Sequence, residues 1–114
     1  MKNKSIKERA IELIVDITNT CDGIKGRSVY TNQLMRCASS IGANASEAQY
    51  AQSPADFIHK LELSLKECNE TDYWLEILYR LDCIHLEKYK SLSNQNGAIK
   101  RMLIASITTV KSKL

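Results

Sequence analysis

The chain has a single proline, four glycines and an aromatic content of only 6%. Proline and glycine punctuate turns, and aromatic residues favour strands. Their scarcity, beside plentiful Leu, Ile and Ala, argues against a sheet protein and for long helices. Apolar runs fall well short of the roughly 20 residues that cross a bilayer, so no membrane-spanning helix is expected. No Cys-x-x-Cys pair occurs among Cys21, Cys37, Cys68 and Cys83. Cys37 and Cys68 take apolar helical positions, so free buried thiols in a reducing compartment are expected rather than disulfides. The opening stretch, Met1 to Arg9, is too charged to lead into a signal-peptide core. These features together predict a cytoplasmic protein.

Catalytic equipment is as scarce. There are two histidines, His59 and His85, and neither stands in a recognisable serine or cysteine motif. Bundles that hold two irons bring Glu-x-x-His pairs together from different helices. Asp56-x-x-His59 and Asp82-x-x-His85 echo that pattern but start 26 residues apart on one predicted helix. That separation is roughly 39 Å, too far to share a metal. Asp56 reads as a helix cap, and His59 as a solvated or packed side chain. Cys83 and His85 are close in sequence, but no further ligands complete a zinc set. Gly23-x-x-Gly26 lacks the strand before it and the Lys-Ser ending of a phosphate loop. No catalytic residue, metal or cofactor is expected, and the chain reads as a non-enzyme.

What is present is helical periodicity. At 114 residues the chain is expected to form one domain. Helices are predicted at about 5–20, 29–51, 54–81 and 86–111. Short connections between them predict an all-α, up-down-up-down antiparallel four-helix bundle. Ser5 can cap the first helix, whose buried stripe is Ile6, Ala10, Leu13, Ile14, Ile17 and Cys21; Lys4, Lys7, Arg9 and Glu12 lie away from it. Asp22-Gly23 stops it. Ser28 or Thr31 starts the second, with Leu34, Cys37, Ala38, Ile41, Ala45 and Ala48 inward. The fourth buries Tyr89, Leu92, Ile99, Leu103 and Val110. Its Ser93-Asn94-Gln95-Asn96-Gly97 segment is weak helix material, where a kink or fraying is expected.

The third helix organises the rest. Ser53 is a good N-cap, Pro54 suits the first turn, and Asp56 completes a capping-box pattern. One apolar stripe holds Phe57, Leu61, Leu65, Cys68, Leu75 and Leu78. A second, shorter stripe holds Leu63, Trp74, Ile77 and Leu81. Either both stripes are buried in one core, or the second faces another subunit. Aromatic enrichment at interfaces points Tyr73-Trp74 and this stripe toward an oligomer larger than a dimer.

The formal charge of +3 is unevenly spread. Residues 1–30 carry +2, residues 31–85 carry −4 and residues 86–114 carry +5. Lys2, Lys4, Lys7 and Arg9 open the first helix, and Lys100, Arg101, Lys111 and Lys113 belong to the last. First and fourth helices are neighbours in an up-down bundle, so these residues can merge into one positive surface. Such a surface would bind RNA or DNA phosphates with little regard to sequence. Alternatively it only solvates the bundle, and the acidic middle helices form the working surface of a protein-interaction scaffold.

Residues 30–82 carry a family resemblance. Ser40-Ile41-Gly42-Ala43-Asn44-Ala45-Ser46-Glu47 is similar to an "S-I-x-x-N-I-x-E" signature. The run from Ala51 to Leu61, then Ser64 to Thr71 and Tyr73 to Glu76, is similar too. The chain resembles a bacterial four-helix-bundle family. It includes proteins encoded in 23S rRNA intervening sequences and the accessory variability determinants of diversity-generating retroelements. Ala45 departs from the branched residue usual there, so looser packing is expected at that point. The resemblance implies a homopentamer, no catalytic residues, nucleic-acid binding and a reverse transcriptase or other protein as partner. Within the matching stretches, Asn44, Glu47 and Glu67 are expected to form a polar layer between the second and third helices.

Overall fold

The computed structural model describes residues 3–114. Four helices follow one another: α1 (Ile6–Asp22), α2 (Ser28–Ala48), α3 (Pro54–Arg80) and α4 (Leu86–Lys111). Each packs on the next, and α4 closes on α1, while the backbones of the diagonal pairs stay farther apart. Neighbours run antiparallel: Glu62 of α3 meets Lys111 of α4, and Tyr79 of α3 stacks on Tyr89 of α4. This is the predicted up-down-up-down bundle, all α among the described residues.

The caps explain the boundaries. Ser5 accepts the Glu8 amide at 3.1 Å and starts α1. Ser53 accepts the Asp56 amide at 3.0 Å, and the Asp56 carboxylate accepts the Gln52 amide at 3.2 Å. That reciprocal capping ends the α2–α3 connection, and α2 stops at Ala48, three residues short of the expected Ala51. Neither Ser28 nor Thr31 caps α2; Arg27 occupies that position with no side-chain bond. At the far end of α3, Asp82 takes φ 60. The Cys83 amide reaches Leu78 O at 2.9 Å and the Asp82 amide reaches Tyr79 O at 3.0 Å. This is a Schellman ending with aspartate where glycine is usual.

The core follows the predicted stripes except at the helix ends, where Ile58 and Ile107 are buried and the expected Phe57, Tyr89 and Val110 are only half-buried. Leu13, Ile17, Leu34, Ile41, Leu75, Leu78, Leu92, Ile99 and Leu103 are fully buried. α1 and α2 approach closely at Gly42, where a Cβ would lie 3.1 Å from that of Ala10. Four polar residues share this interior: Thr31, Ser64, Thr71 and Asn96. Ser64 donates to Ile41 O at 2.7 Å across the α2–α3 interface, and Thr71 to Glu67 O at 2.8 Å. Burial of such groups is tolerated when they are hydrogen-bonded.

The expected weakness at 93–97 is absent: α4 is an unbroken α-helix through it. The reason is Asn96, which is buried and anchored. Its amide donates to Cys68 O at 2.9 Å and to the Asp72 carboxylate at 2.7 Å. Tertiary bonds override a poor local propensity.

Candidate nucleic-acid interface

Because α1 packs on α4, the two basic helices do share one side of the bundle. Lys4, Arg9 and Glu12 of the α1 side line a cavity with Gln95 of α4, and Lys88 and Gln95 both bond Asp16 of α1, at 3.0 and 2.9 Å. Burial pushes the Asp16 carboxyl up, but the bonds from Gln95 and Lys88 outweigh it and hold it below its ordinary value.

The structure sorts the eight basic candidates into groups. Lys7, Arg101 and Lys113 are exposed and form no ion pair among the described residues. Lys4 pairs with Glu12 at 2.6 Å. Arg9 does not lie wholly away from the core, as the sequence suggested; it is half-buried and its Nε lacks a hydrogen-bond partner. Lys100 and Lys111 are not on the α1–α4 side at all. They turn to α3, where Lys100 pairs with Asp72 and Lys111 with Glu62. The acidic helix draws them across the α3–α4 interface. Lys2 lies outside the described residues.

The acidic middle is correspondingly neutralised. Glu47 pairs with Lys60, Glu76 with Arg80, and Glu67 and Glu70 share the guanidinium of Arg36. Burial pushes the Glu67 carboxyl up, and the adjacent Glu70 adds to this. The hydrogen bond from Arg36 holds Glu70 below its ordinary value.

The second stripe of α3 divides. Trp74 packs against the core, with Tyr30 of α2 at 6.2 Å and Tyr73 at 5.0 Å between ring centroids. Leu63 and Ile77 are half-buried without joining the core cluster, and Leu81 and Tyr73 are exposed. In chain order the stripe is Leu63, Glu67, Glu70, Trp74, Ile77 and Leu81, so the Arg36 cluster sits in its middle.

The polar layer of Asn44, Glu47 and Glu67 is not assembled. Asn44 donates to Ser40 O of its own helix at 2.9 Å. Glu47 is exposed and held by Lys60, and Glu67 is held by Arg36. Helical spacing placed these residues near the α2–α3 seam, and Glu47 and Glu67 do cross it, but to Lys60 and Arg36 rather than to one another, while Asn44 bonds its own helix. The buried polar groups are instead Thr31, Ser64, Thr71 and Asn96, the last bonded to the partly exposed Asp72, which pairs with Lys100. A signal for them existed. Ser64 and Thr71 continue the 61–68–75–78 spacing, and Asn96 lies midway between Leu92 and Ile99.

His59 and His85 are exposed. No group of three or more His, Cys, Asp or Glu side chains able to hold a metal occurs among the described residues. Nor is any described helix long and apolar enough to cross a membrane. The four cysteines are free thiols, and burial pushes Cys21 up to about 11 and Cys68 up to about 12.

No functionally curated protein matches this chain. A crystal structure of a protein of unknown function from the S23 ribosomal protein family of Bacteroides thetaiotaomicron is similar, with 42% identity and a TM-score of 0.85 over 90% of this chain and 98% of that one. Residues 2–105 match the family described as 23S rRNA-intervening sequence protein. With that match over nearly the whole chain, on a bundle of the same shape, the protein belongs to the 23S rRNA-intervening sequence protein family.

Proposed function

We propose that the protein is a non-enzymatic, homo-oligomeric cytoplasmic accessory that associates with RNA or DNA through the α1–α4 side of the bundle. One observation carries the reading: Lys7 of α1, Arg101 of α4 and Lys113 just beyond it stand exposed without ion pairs among the described residues, while most acidic side chains of α3 are occupied by cations. Free cations facing solvent are what phosphate binding uses. The occupied carboxylates weigh against a scaffold that works through an acidic surface. The family's description, which ties it to 23S rRNA, supports RNA as a partner.

Assembly belongs to the same reading. Leu63, Ile77 and Leu81 present apolar area that the core does not use, and a ring of five copies would cover it while multiplying the basic side. Leu63→Lys and Ile77→Lys are cleaner probes than Trp74→Asp, because Trp74 also packs against the core. Native mass spectrometry should show the wild type as a pentamer and both variants as smaller species. A wild type that is monomeric at micromolar concentration rejects the assembly.

Nucleic-acid binding is tested by fluorescence anisotropy with labelled RNA and DNA across a salt series. Affinity should fall linearly on logarithmic axes, and Arg101→Glu with Lys113→Glu should lower the slope by about one for each phosphate no longer neutralised. Lys100→Glu is unsuitable, since it would place a carboxylate against Asp72. No binding at low salt, or binding unchanged by the double reversal, rejects the proposal and favours the scaffold.

A further inference from the structure

At the end of the bundle where α1 and α3 begin, a cavity of about 460 Å³ opens between all four helices. Small-molecule sites span roughly 300–1,000 Å³. Its apolar walls are Ile6 of α1, Ala45 of α2, Phe57 and Leu61 of α3 and Met102 of α4. Ala45 makes the room: one turn earlier on the same face, Ile41 fills the interior completely. Ile6, Phe57 and Met102 are consequently only half-buried. The protein leaves this apolar surface uncovered although burial would stabilise it.

The polar part of the lining has one sign. Among the described residues Lys7 is the only charged one in the lining, exposed and without an ion pair, and no carboxylate lines the cavity. Gln49 and the hydroxyl of Ser106 are beside it, while the Ser5 hydroxyl is already engaged by the Glu8 amide and carboxylate at 3.1 and 3.3 Å. The Ile6 and Lys7 amides belong to the first turn of α1, where no intrahelical acceptor exists. An apolar hollow with one free cation and helix-start amides matches an apolar body carrying one negative charge. A neutral ligand leaves Lys7 unmatched, and a dianion meets one cation with two charges.

We propose that this cavity binds a small amphipathic monocarboxylate, its hydrocarbon part between Phe57, Leu61 and Met102 and its carboxylate on Lys7. The site shares Lys7 with the nucleic-acid reading, but its test uses no nucleic acid, so the two can fail separately. Octanoate is the probe, with 1-octanol as its neutral counterpart, each titrated by calorimetry and by NMR of the Met102 methyl group. Saturable binding of one octanoate per chain is expected. Lys7→Gln should weaken octanoate about three- to tenfold and leave octanol within about twofold. Ala45→Ile should fill the cavity and abolish binding of both. Should that variant fail to fold, Ser106→Leu narrows the cavity from α4 and should abolish both in its place. Absence of saturable octanoate binding in the millimolar range overturns the proposal. So does binding that survives in a folded cavity-filling variant, or equal weakening of octanoate and octanol by Lys7→Gln.

Discussion

Asn96→Asp changes one donor group into an acceptor at the centre of the α3–α4 interface. Asn96 is fully buried, and its amide donates to the Asp72 carboxylate at 2.7 Å and to Cys68 O at 2.9 Å. An ionised aspartate there would set two carboxylates against each other. Even at an effective dielectric of about 20, like charges at that distance repel by more than about 4 kcal/mol. The new carboxyl therefore stays protonated in the folded state and donates to Asp72. In the unfolded chain it ionises at about 3.9, so holding it neutral near pH 7 costs about 4 kcal/mol. The sign follows from the folded pKa being raised. The folded state binds the extra proton, so the penalty is small below about pH 4 and grows by about 1.4 kcal/mol per pH unit above it. Urea unfolding of wild type and variant at several pH values measures this difference. Adding Asp72→Asn should restore part of the loss, since the side-chain amide introduced at position 72 can then donate to the new carboxylate. A difference under about 1 kcal/mol near neutral pH, or one that does not change with pH, would refute the assignment of a buried donor to Asn96.

Three further outcomes are expected. Asp82→Gly should stabilise by about 0.5–1 kcal/mol in urea unfolding, because φ 60 strains an L residue and not glycine; a loss of stability would show that the Asp82 side chain matters more than its backbone. Asp16→Asn should remove at most about 1 kcal/mol near neutral pH and flatten the acid limb of the stability curve, since a lowered folded pKa stabilises above the ordinary carboxylate range and is lost as pH falls through it. Under native conditions iodoacetamide should modify Cys83 first, because Cys21, Cys37 and Cys68 are buried and burial raises the pKa of each. Mass spectrometry showing simultaneous loss of several thiols would contradict the closed core.

Helix number, order and inward faces were legible in the sequence because they depend on local spacing. Ser5, Ser53 and Asp56 mark helix starts through bonds made within a few residues, and the structure uses all three. The stripes of α1 and α2 predicted their buried positions because a period of 3.6 identifies a face without knowing its neighbour. The polar interior was not legible in that way. Asn96 read as a helix weakener, since propensity sees only the chain around it, whereas its stability comes from Cys68 and Asp72 on another helix.

Charge followed the same division. Its uneven distribution along the chain is a property of the sequence, and it pointed to basic ends and an acidic middle. Which cations remain free was decided by tertiary packing. Lys100 and Arg101 are adjacent in sequence, but the helix turns successive residues about 100° apart. One therefore reaches Asp72 on α3 while the other stays in solvent. Likewise Asn44, Glu47 and Glu67 shared a seam by spacing but found separate partners in space. Periodicity specifies the face a residue occupies; the side chain that meets it there depends on how the helices are rotated and staggered against one another, which only the packed bundle sets.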